Sequence, residues 1–285
     1  MPTAFVILHY RTLDVTVECL AHLLKVAEGC PIVVVDNGSG DGSGAKILEM
    51  YGGKGVHVVS NDANLGFAKG NNAGFRYVKD NFNVDCVVVM NNDVIIDQPD
   101  FCTIVVSYMK DNGVDVCGPD ITTPDGRHQN PLLLNAPSTP RLLKQLAIDA
   151  ARLVMLKLRI MEKRILSTYT AVSKSFHRED SNVRDIDDCV LHGSCVIYSS
   201  DYLSKESFAF VPVTFLYGEE LLSYDYCKTH GYKTGVCAAA KVLHLGGVTT
   251  TMKGSLSREK QIFVTTQMLK SKWQAVKLRF FPFKG

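Results

Sequence analysis

Long apolar runs are missing from this chain. The longest stretch without Asp, Glu, Lys or Arg is the 13 residues from His128 to Pro140, against ~20 needed to cross a bilayer, so no spanning helix is expected. Paired cysteine motifs are missing too. The nine cysteines are scattered and none forms CxxC, which reads as reduced thiols in a cytosolic protein with no zinc site. No basic stretch precedes the apolar opening Met1–His9, so no secretory signal is expected. There is no GxSxG elbow, no P-loop, no internal repeat and no low-complexity linker. Excess charge of one sign is also absent: Lys+Arg 31 balance Asp+Glu 29 for a net +2. That argues against nucleic-acid binding along the whole surface. With 46% hydrophobic and 21% charged residues, the chain is neither disordered, coiled-coil nor collagen-like.

What is present is an alternation. Ala4–Leu8, Pro31–Val35, Val56–Val59 and Cys86–Met90 are short apolar, β-branched runs. Between them Asp14–Val26, Gly42–Tyr51 and Phe67–Phe82 show helical spacing. Such alternation predicts a parallel sheet covered on both faces. In an open parallel sheet, ligands bind beyond the carboxyl ends of the strands. There the sequence places His9-Tyr10-Arg11, Asp36 to Ser43, Asn61 to Gly66 and Asn91-Asn92-Asp93. After Pro119 the pattern loosens. Leu142–Leu166 reads as a basic amphipathic helix, Cys189–Tyr198 as a strand, Thr214–His230 as a turn into a helix, Val236–Leu245 as a last strand, and the tail from Ser257 as helical.

Four features carry candidate chemistry, each with a plain structural alternative. Gly40-Asp41-Gly42-Ser43-Gly44-Ala45 matches GxGxxA, with Asp62 placed 22 residues beyond Gly40, as in a dinucleotide fingerprint. The alternative is a turn with a helix cap. Asn91-Asn92-Asp93 suits a hard divalent cation, which takes carboxylate oxygens, or else ends its strand in an Asx-turn. Glu219-Glu220 suits a general base, or compensates a helix N-terminus. His244, followed by two glycines, suits a ligand position or a structural role; His192 is a weaker candidate.

Together these segments resemble family-2 glycosyltransferases of the GT-A fold, in the rhamnosyltransferase-like branch. The resemblance rests on six segments in the family's order: Val6–Tyr10, Val34–Ser39, Asn64–Gly74, Asn91–Asp93, Phe215–Glu220 and His244–Gly247. It implies an α/β fold with a mostly parallel sheet, nucleotide-sugar half 1–118, acceptor half 119–250 and basic tail 251–285. It implies a donor set of His9, Tyr10, Asp36, Asn37, Asn64, Gly66, Lys69, Asn72, Asn91 and Asn92. Asp36 would accept the N3–H of a pyrimidine. Asp93 and His244 would hold Mn²⁺ or Mg²⁺, and Glu220, or its neighbour Glu219, would be the base in an inverting transfer from a UDP- or dTDP-sugar to a glycan hydroxyl. Two departures stand out: one carboxylate at the metal tip where a full DxD has two, and Glu-Glu where the family has Glu-Asp.

Two segments are basic. Arg141–Arg164 carries +5 and Arg258–Gly285 carries +6, leaving −9 elsewhere. This predicts contact with an anionic surface, or else a solvated basic face packed on the domain, and the resemblance implies a lipid-linked glycan acceptor at the inner face of the plasma membrane. Two rival functions remain at this stage. An NAD(P)-dependent oxidoreductase would use the Gly40 loop, and a non-catalytic nucleotide-sugar binder would leave the acids idle.

Overall fold

The computed structural model describes residues 2–159, 184–246 and 257–283. The apolar runs form strands β1 (Thr3–His9), β2 (Ile32–Asp36), β3 (Val56–Ser60) and β4 (Cys86–Asn91), with helices α1 (Leu13–Val26), α2 (Ser43–Tyr51) and α3 (Gly66–Asn81) between them. β5 (Val94–Ile95), α4 (Phe101–Asn112) and β6 (Val116–Thr122) continue the alternation. These three were not legible as separate elements in the sequence. Beyond them lie α5 (Thr139–Lys157), β7 (Ile186–Asp187), β8 (Cys195–Ser199), α6 (Ser200–Lys205), α7 (Glu219–His230), β9 (Thr234–His244) and α8 (Arg258–Phe280). The expected strand over Cys189–Tyr198 is corrected to β8. Residues 189–194 turn instead, because Val190 pairs with Leu133 and His192 folds onto Asn130. Residues 160–166 of the expected basic helix, and Gly247, fall outside the described residues.

Among the described residues, the strands join in one sheet of order β3-β2-β1-β4-β8-β6-β9-β5, with β7 on β9. β1, β2, β3 and β4 run parallel, and so do β6 and β9. β8 is antiparallel to both β4 and β6. The carboxyl ends of β1, β2, β4, β6 and β9 therefore share one rim.

Both sheet faces are buried, which is why the strand sequences are continuously apolar. Val6, Val33, Val35, Val87, Val89 and Tyr198 point to one face, under α3, α7 and α8. Phe5, Ile7, Ile32, Val34, Val88 and Ile197 point to the other, under α1, α2 and α4. The split follows the two-residue period of a strand. α5 and α8 pack as an antiparallel pair. Arg258 donates to the carbonyls of Leu156 and Lys157, while Arg279 donates to that of Pro137.

Candidate active site

The rim holds the polar strand ends. His9 and Asp36 are register partners on β1 and β2. The Asp36 carboxylate accepts from the Ser39 N–H at 3.0 Å. Its other oxygen lies where a side chain at Gly44 would begin, 2.3 Å from an added Cβ. The glycine loop thus makes room for this carboxylate. Asp41 accepts from the N–H of Ser43 at 3.0 Å, so the start of α2 is already capped. That geometry favours a turn and cap over a dinucleotide cradle. Tyr10 sits beside the loop with the Arg11 guanidinium over its ring at 5.0 Å. Arg11 in turn bonds Ser39 through its backbone N–H and its Nε.

His9 is fully buried, and its ring bridges Thr16 and Ser43 at 2.8 and 2.7 Å. Burial lowers its pKa, against the opposing charges of Asp36 and Asp41. Asn92 donates to Thr12 and Thr16, which ties the β4 end to the same network. Asn37 is a buried junction. Its amide donates to Asn64 Oδ1 and the Gly66 carbonyl, and accepts from Asn61 and the Leu65 N–H. Asn72 is fully buried in α3. It donates to the Phe210 carbonyl at 2.7 Å and accepts from the N–H groups of Ala209 and Phe210. His9, Asn37 and Asn72 therefore build the walls of the site from inside the fold. Tyr10, Asp36, Asn64, Asn91 and Asn92 stay partly open at the rim, and Lys69 is exposed.

Asp93 and His244 are 151 residues apart in sequence, and the sheet joins them. β5 reverses just after Asp93 and pairs antiparallel with β9, setting Val94 opposite His244. The Leu245 N–H donates to the Asp93 carbonyl at 2.9 Å. Asp93 Oδ1 then stands 3.3 Å from His244 Nε2, both side chains nearly buried. Gln129 Oε1 accepts from His244 Nδ1–H at 2.7 Å, which turns Nε2 toward the carboxylate. A ring nitrogen and a carboxylate oxygen so placed can pair directly with one another or hold a cation between them, and an outer hydrogen bond of this kind is the usual means of orienting a ligating imidazole. Among the described residues no group of three or more His, Cys, Asp or Glu gathers to hold a metal. The pair alone fits an ion that keeps water and phosphate as its other ligands.

His192 stacks obliquely on His244 with ring centroids 5.7 Å apart. Next to it, Gly193 faces Glu220, whose Oε1 is 3.0 Å from an added Cβ. Glu220 is half-buried at the first turn of α7. Burial raises its pKa, partly offset by the backbone N–H groups of Glu220, Gly193 and Gly218. Glu219 is 2% exposed and accepts from Thr214 Oγ1 at 2.9 Å. Burial first, then the neighbouring Glu220 charge, pushes it up to about 7. The turn before them is left-handed at Tyr217 and Gly218, with φ 69° and 87°. Gly66 locks this turn to the start of α3. At φ +80°, an added Cβ would lie 2.2 Å from the Phe215 carbonyl, and that carbonyl accepts from the Phe67 N–H at 2.8 Å.

Sequence reading missed Gln129, Asn130 and Thr214, and placed Arg11 at the rim without a role. Gln129 and Asn130 lie in a proline-broken stretch with no period to mark them. The buried Asn130 amide accepts from the His192 N–H at 2.7 Å.

The sequence pattern of glycosyl transferase family 2 matches residues 4–206. The low-salt glycan biosynthesis hexosyltransferase Agl10 of Haloferax volcanii is 22% identical over 248 residues, 85% of this chain and 66% of that protein. The chain thus spans just under two thirds of that relative's length. Among solved structures, S. aureus TarS shares 15% identity at TM-score 0.53, covering 100% of this chain and 75% of that one. Pyrobaculum calidifontis mannosyltransferase PcManGT, in complex with GDP-Man and Mn²⁺, shares 11% at 0.52, covering 99% and 76%. GalNAc-T7, with UDP, GalNAc and Mn²⁺, shares 14% at 0.61, covering 98% and 48%. At these identities the structures speak to the fold, which is the GT-A arrangement of an α/β protein. The family match covers well over half of the chain and disposes of the dinucleotide reading of the Gly40 loop: this protein is a family-2 glycosyltransferase.

Proposed function

We propose that the protein is an inverting, metal-dependent transferase of the rhamnosyltransferase-like branch. It moves a hexosyl or deoxyhexosyl group from a UDP- or dTDP-sugar to a hydroxyl of a growing surface glycan. The observation that carries this reading is one rim bearing Asp36, the Asp93–His244 pair and the Glu219–Glu220 turn, with Glu220 against Gly193 beside His192. Residues 1–118 serve as the donor half and 119–250 as the acceptor half. Two of the similar structures hold GDP-Man and UDP, which supports a nucleotide-sugar donor.

Asp36 accepts the N3–H of a pyrimidine while Tyr10 and Asn64 border the base and Asn91 and Asn92 the ribose. Asp93 and His244 would hold Mn²⁺ or Mg²⁺, which supplies positive charge against the diphosphate when bound. Glu220 takes the proton of the acceptor hydroxyl. The hydroxyl oxygen forms its bond to the anomeric carbon as the bond to the diphosphate oxygen breaks. The nucleoside diphosphate leaves with that electron pair, and configuration inverts. Such a displacement needs one base and no enzymic nucleophile. Of the two acids, Glu220 faces the donor side and Glu219 is held back on Thr214. That geometry favours Glu220 as the base.

The partner surface is an anionic membrane, with the enzyme at its cytoplasmic face and a lipid-linked acceptor within reach. Exposed Leu143, Ile148, Val154 and Leu158 on α5 or just past its end join Phe263, Trp273 and Phe280 on α8. Apolar and basic side chains mixed on one helix pair suit a lipid interface. No described helix is long and apolar enough to cross a membrane.

A thermal-shift panel of UDP, dTDP, GDP and NAD⁺, each with and without Mn²⁺, tests the donor assignment. Ligand at 100 times its Kd adds ~2.7 kcal/mol, a rise of a few degrees here. Metal-dependent stabilisation by UDP or dTDP is expected. Stabilisation by GDP alone would remove the pyrimidine role of Asp36, and none by any nucleotide diphosphate would remove the function.

A further inference from the structure

Arg11 has no place in the donor set, yet through it the end of β1 holds the glycine loop. Its φ of 60° lies in the left-handed region, which a residue with a Cβ adopts at a cost and keeps only where its surroundings fix it. Two hydrogen bonds to one residue fix it here. The Arg11 backbone N–H donates to Ser39 Oγ at 3.0 Å, and its Nε–H donates to the Ser39 carbonyl at 3.1 Å. The guanidinium also lies over the Tyr10 ring, 5.0 Å from its centre, a contact that suits a planar cation. Ser39 is 1% exposed and stands between two left-handed glycines, Gly38 and Gly40, at φ 70° and 67°. Its N–H donates to Asp36 Oδ1 at 3.0 Å. Arg11, Ser39 and Asp36 thus form one chain of hydrogen bonds, which ends on a carboxylate with one oxygen committed to the backbone. The other oxygen occupies the space that Gly44 leaves open.

We propose that Arg11 is a positioning residue that makes the donor site select uracil or thymine over guanine. This rests on the reading of Asp36 as the carboxylate that meets the base. Uracil and thymine offer that carboxylate a single N–H, at N3, between two carbonyl oxygens. One free oxygen satisfies it. Guanine offers two donors side by side, N1–H and the N2 amine, and pairs best with both oxygens of a carboxylate at once. With Oδ1 turned to the Ser39 N–H, the two oxygens do not face the base together, and the N2 amine is left without an acceptor. An unpaired polar group of this kind is how a site rejects the wrong ligand. Arg11 acts through Ser39. Without the guanidinium the loop is free to turn, and both oxygens return to the base. Lysine cannot replace it, because its side chain has no N–H partway along to reach the Ser39 carbonyl while its cation lies on Tyr10.

Calorimetric titration of the full chain with UDP, dTDP and GDP in the presence of Mn²⁺, and ligand-observed NMR titration with uridine, test this. The parent chain should bind UDP or dTDP at least tenfold more tightly than GDP. Arg11→Gln, Arg11→Lys and Arg11→Gly should each shrink that ratio at least fivefold, with uridine weakened in the same proportion as UDP. Glycine suits the left-handed backbone, so Arg11→Gly should have a Tm no lower than that of Arg11→Gln while it loses the same selectivity. That separates the role of the guanidinium from the stability of the turn. A ratio unchanged in Arg11→Gln and Arg11→Gly, with UDP still bound as in the parent, overturns the proposal and leaves the donor reading standing. UDP weakened with uridine unchanged also overturns it, since the guanidinium would then act on the phosphates. So does a parent chain that binds GDP as tightly as UDP. No binding of any nucleoside diphosphate by the parent chain would sink the donor reading and the positioning role together.

Discussion

Glu219 and Glu220 are adjacent carboxyls in two different environments, and two predictions follow from them. With Glu220 as base, Glu220→Gln should cut kcat by ~10²–10⁴ in a transfer assay, while the Kd for nucleoside diphosphate stays put. Loss of nucleotide binding in step with kcat would mark Glu220 as structural. The pair should titrate as a unit, so kcat/KM should rise with pH through an acid limb displaced above the ordinary carboxylate range, because burial raises both groups. Glu219→Gln removes the neighbouring negative charge and should move that limb to lower pH. The same shift has a sign for stability. A carboxyl raised in the folded state favours folding below its unfolded pKa, and this contribution is lost as pH rises through about 7. Urea unfolding from pH 5 to 8 should show that decline, and Glu219→Gln should flatten it. At the proposed metal pair, Asp93→Ala leaves His244 alone on Gln129, so Mn²⁺ should no longer strengthen nucleotide binding in a titration with and without the ion.

The turns between strands and helices are where sequence spacing and chain geometry meet. Gly66 and Gly40 both hold positive φ, 80° and 67°. At Gly66 an added methyl strikes the Phe215 carbonyl, whereas at Gly40 nothing lies within 4 Å. Gly66→Ala should therefore cost more than the ~1–2 kcal/mol of left-handed backbone strain expected at Gly40→Ala. The difference in unfolding free energy between the two variants checks it; equal costs would mean that the β3–α3 turn and the Phe215 segment are not locked together. The first four strands, the opening helices and the glycine-rich turn were legible because period and turn chemistry are local properties. β5 was not: two residues, Val94 and Ile95, carry no period, and β9 makes them a strand. The polar residues of α3 were only half legible. Asn72 reads as a donor ligand in the motif, yet its amide is spent on Ala209 and Phe210, because a buried amide must satisfy its hydrogen bonds wherever partners lie.

The molecule divides its charge and apolar surface between two sides. The acids and amides of the site line the sheet rim. Phe263, Trp273, Phe280 and Phe281 lie exposed on α8 or just past its end, along with Lys270 and Lys277. Co-sedimentation should show the protein on vesicles containing anionic lipid and not on neutral ones, with binding falling as salt rises. Trp273→Glu together with Phe280→Glu should abolish it and leave soluble nucleotide binding intact. Equal binding to both vesicle types, or to neither, would remove the membrane from the account.

Composition, strand period and the ordered motifs were enough to specify an α/β sheet, its polar rim and a sugar-transfer family, because these depend on neighbours a few residues apart. The pairing of Asp93 with His244, the hydrogen bond of Gln129 behind that histidine, the different settings of Glu219 on Thr214 and Glu220 against Gly193, and a cavity beside Gly218 depended on contacts between distant segments. Those contacts follow from sheet register and helix packing, where one two-residue strand sets which side chains meet across 151 positions.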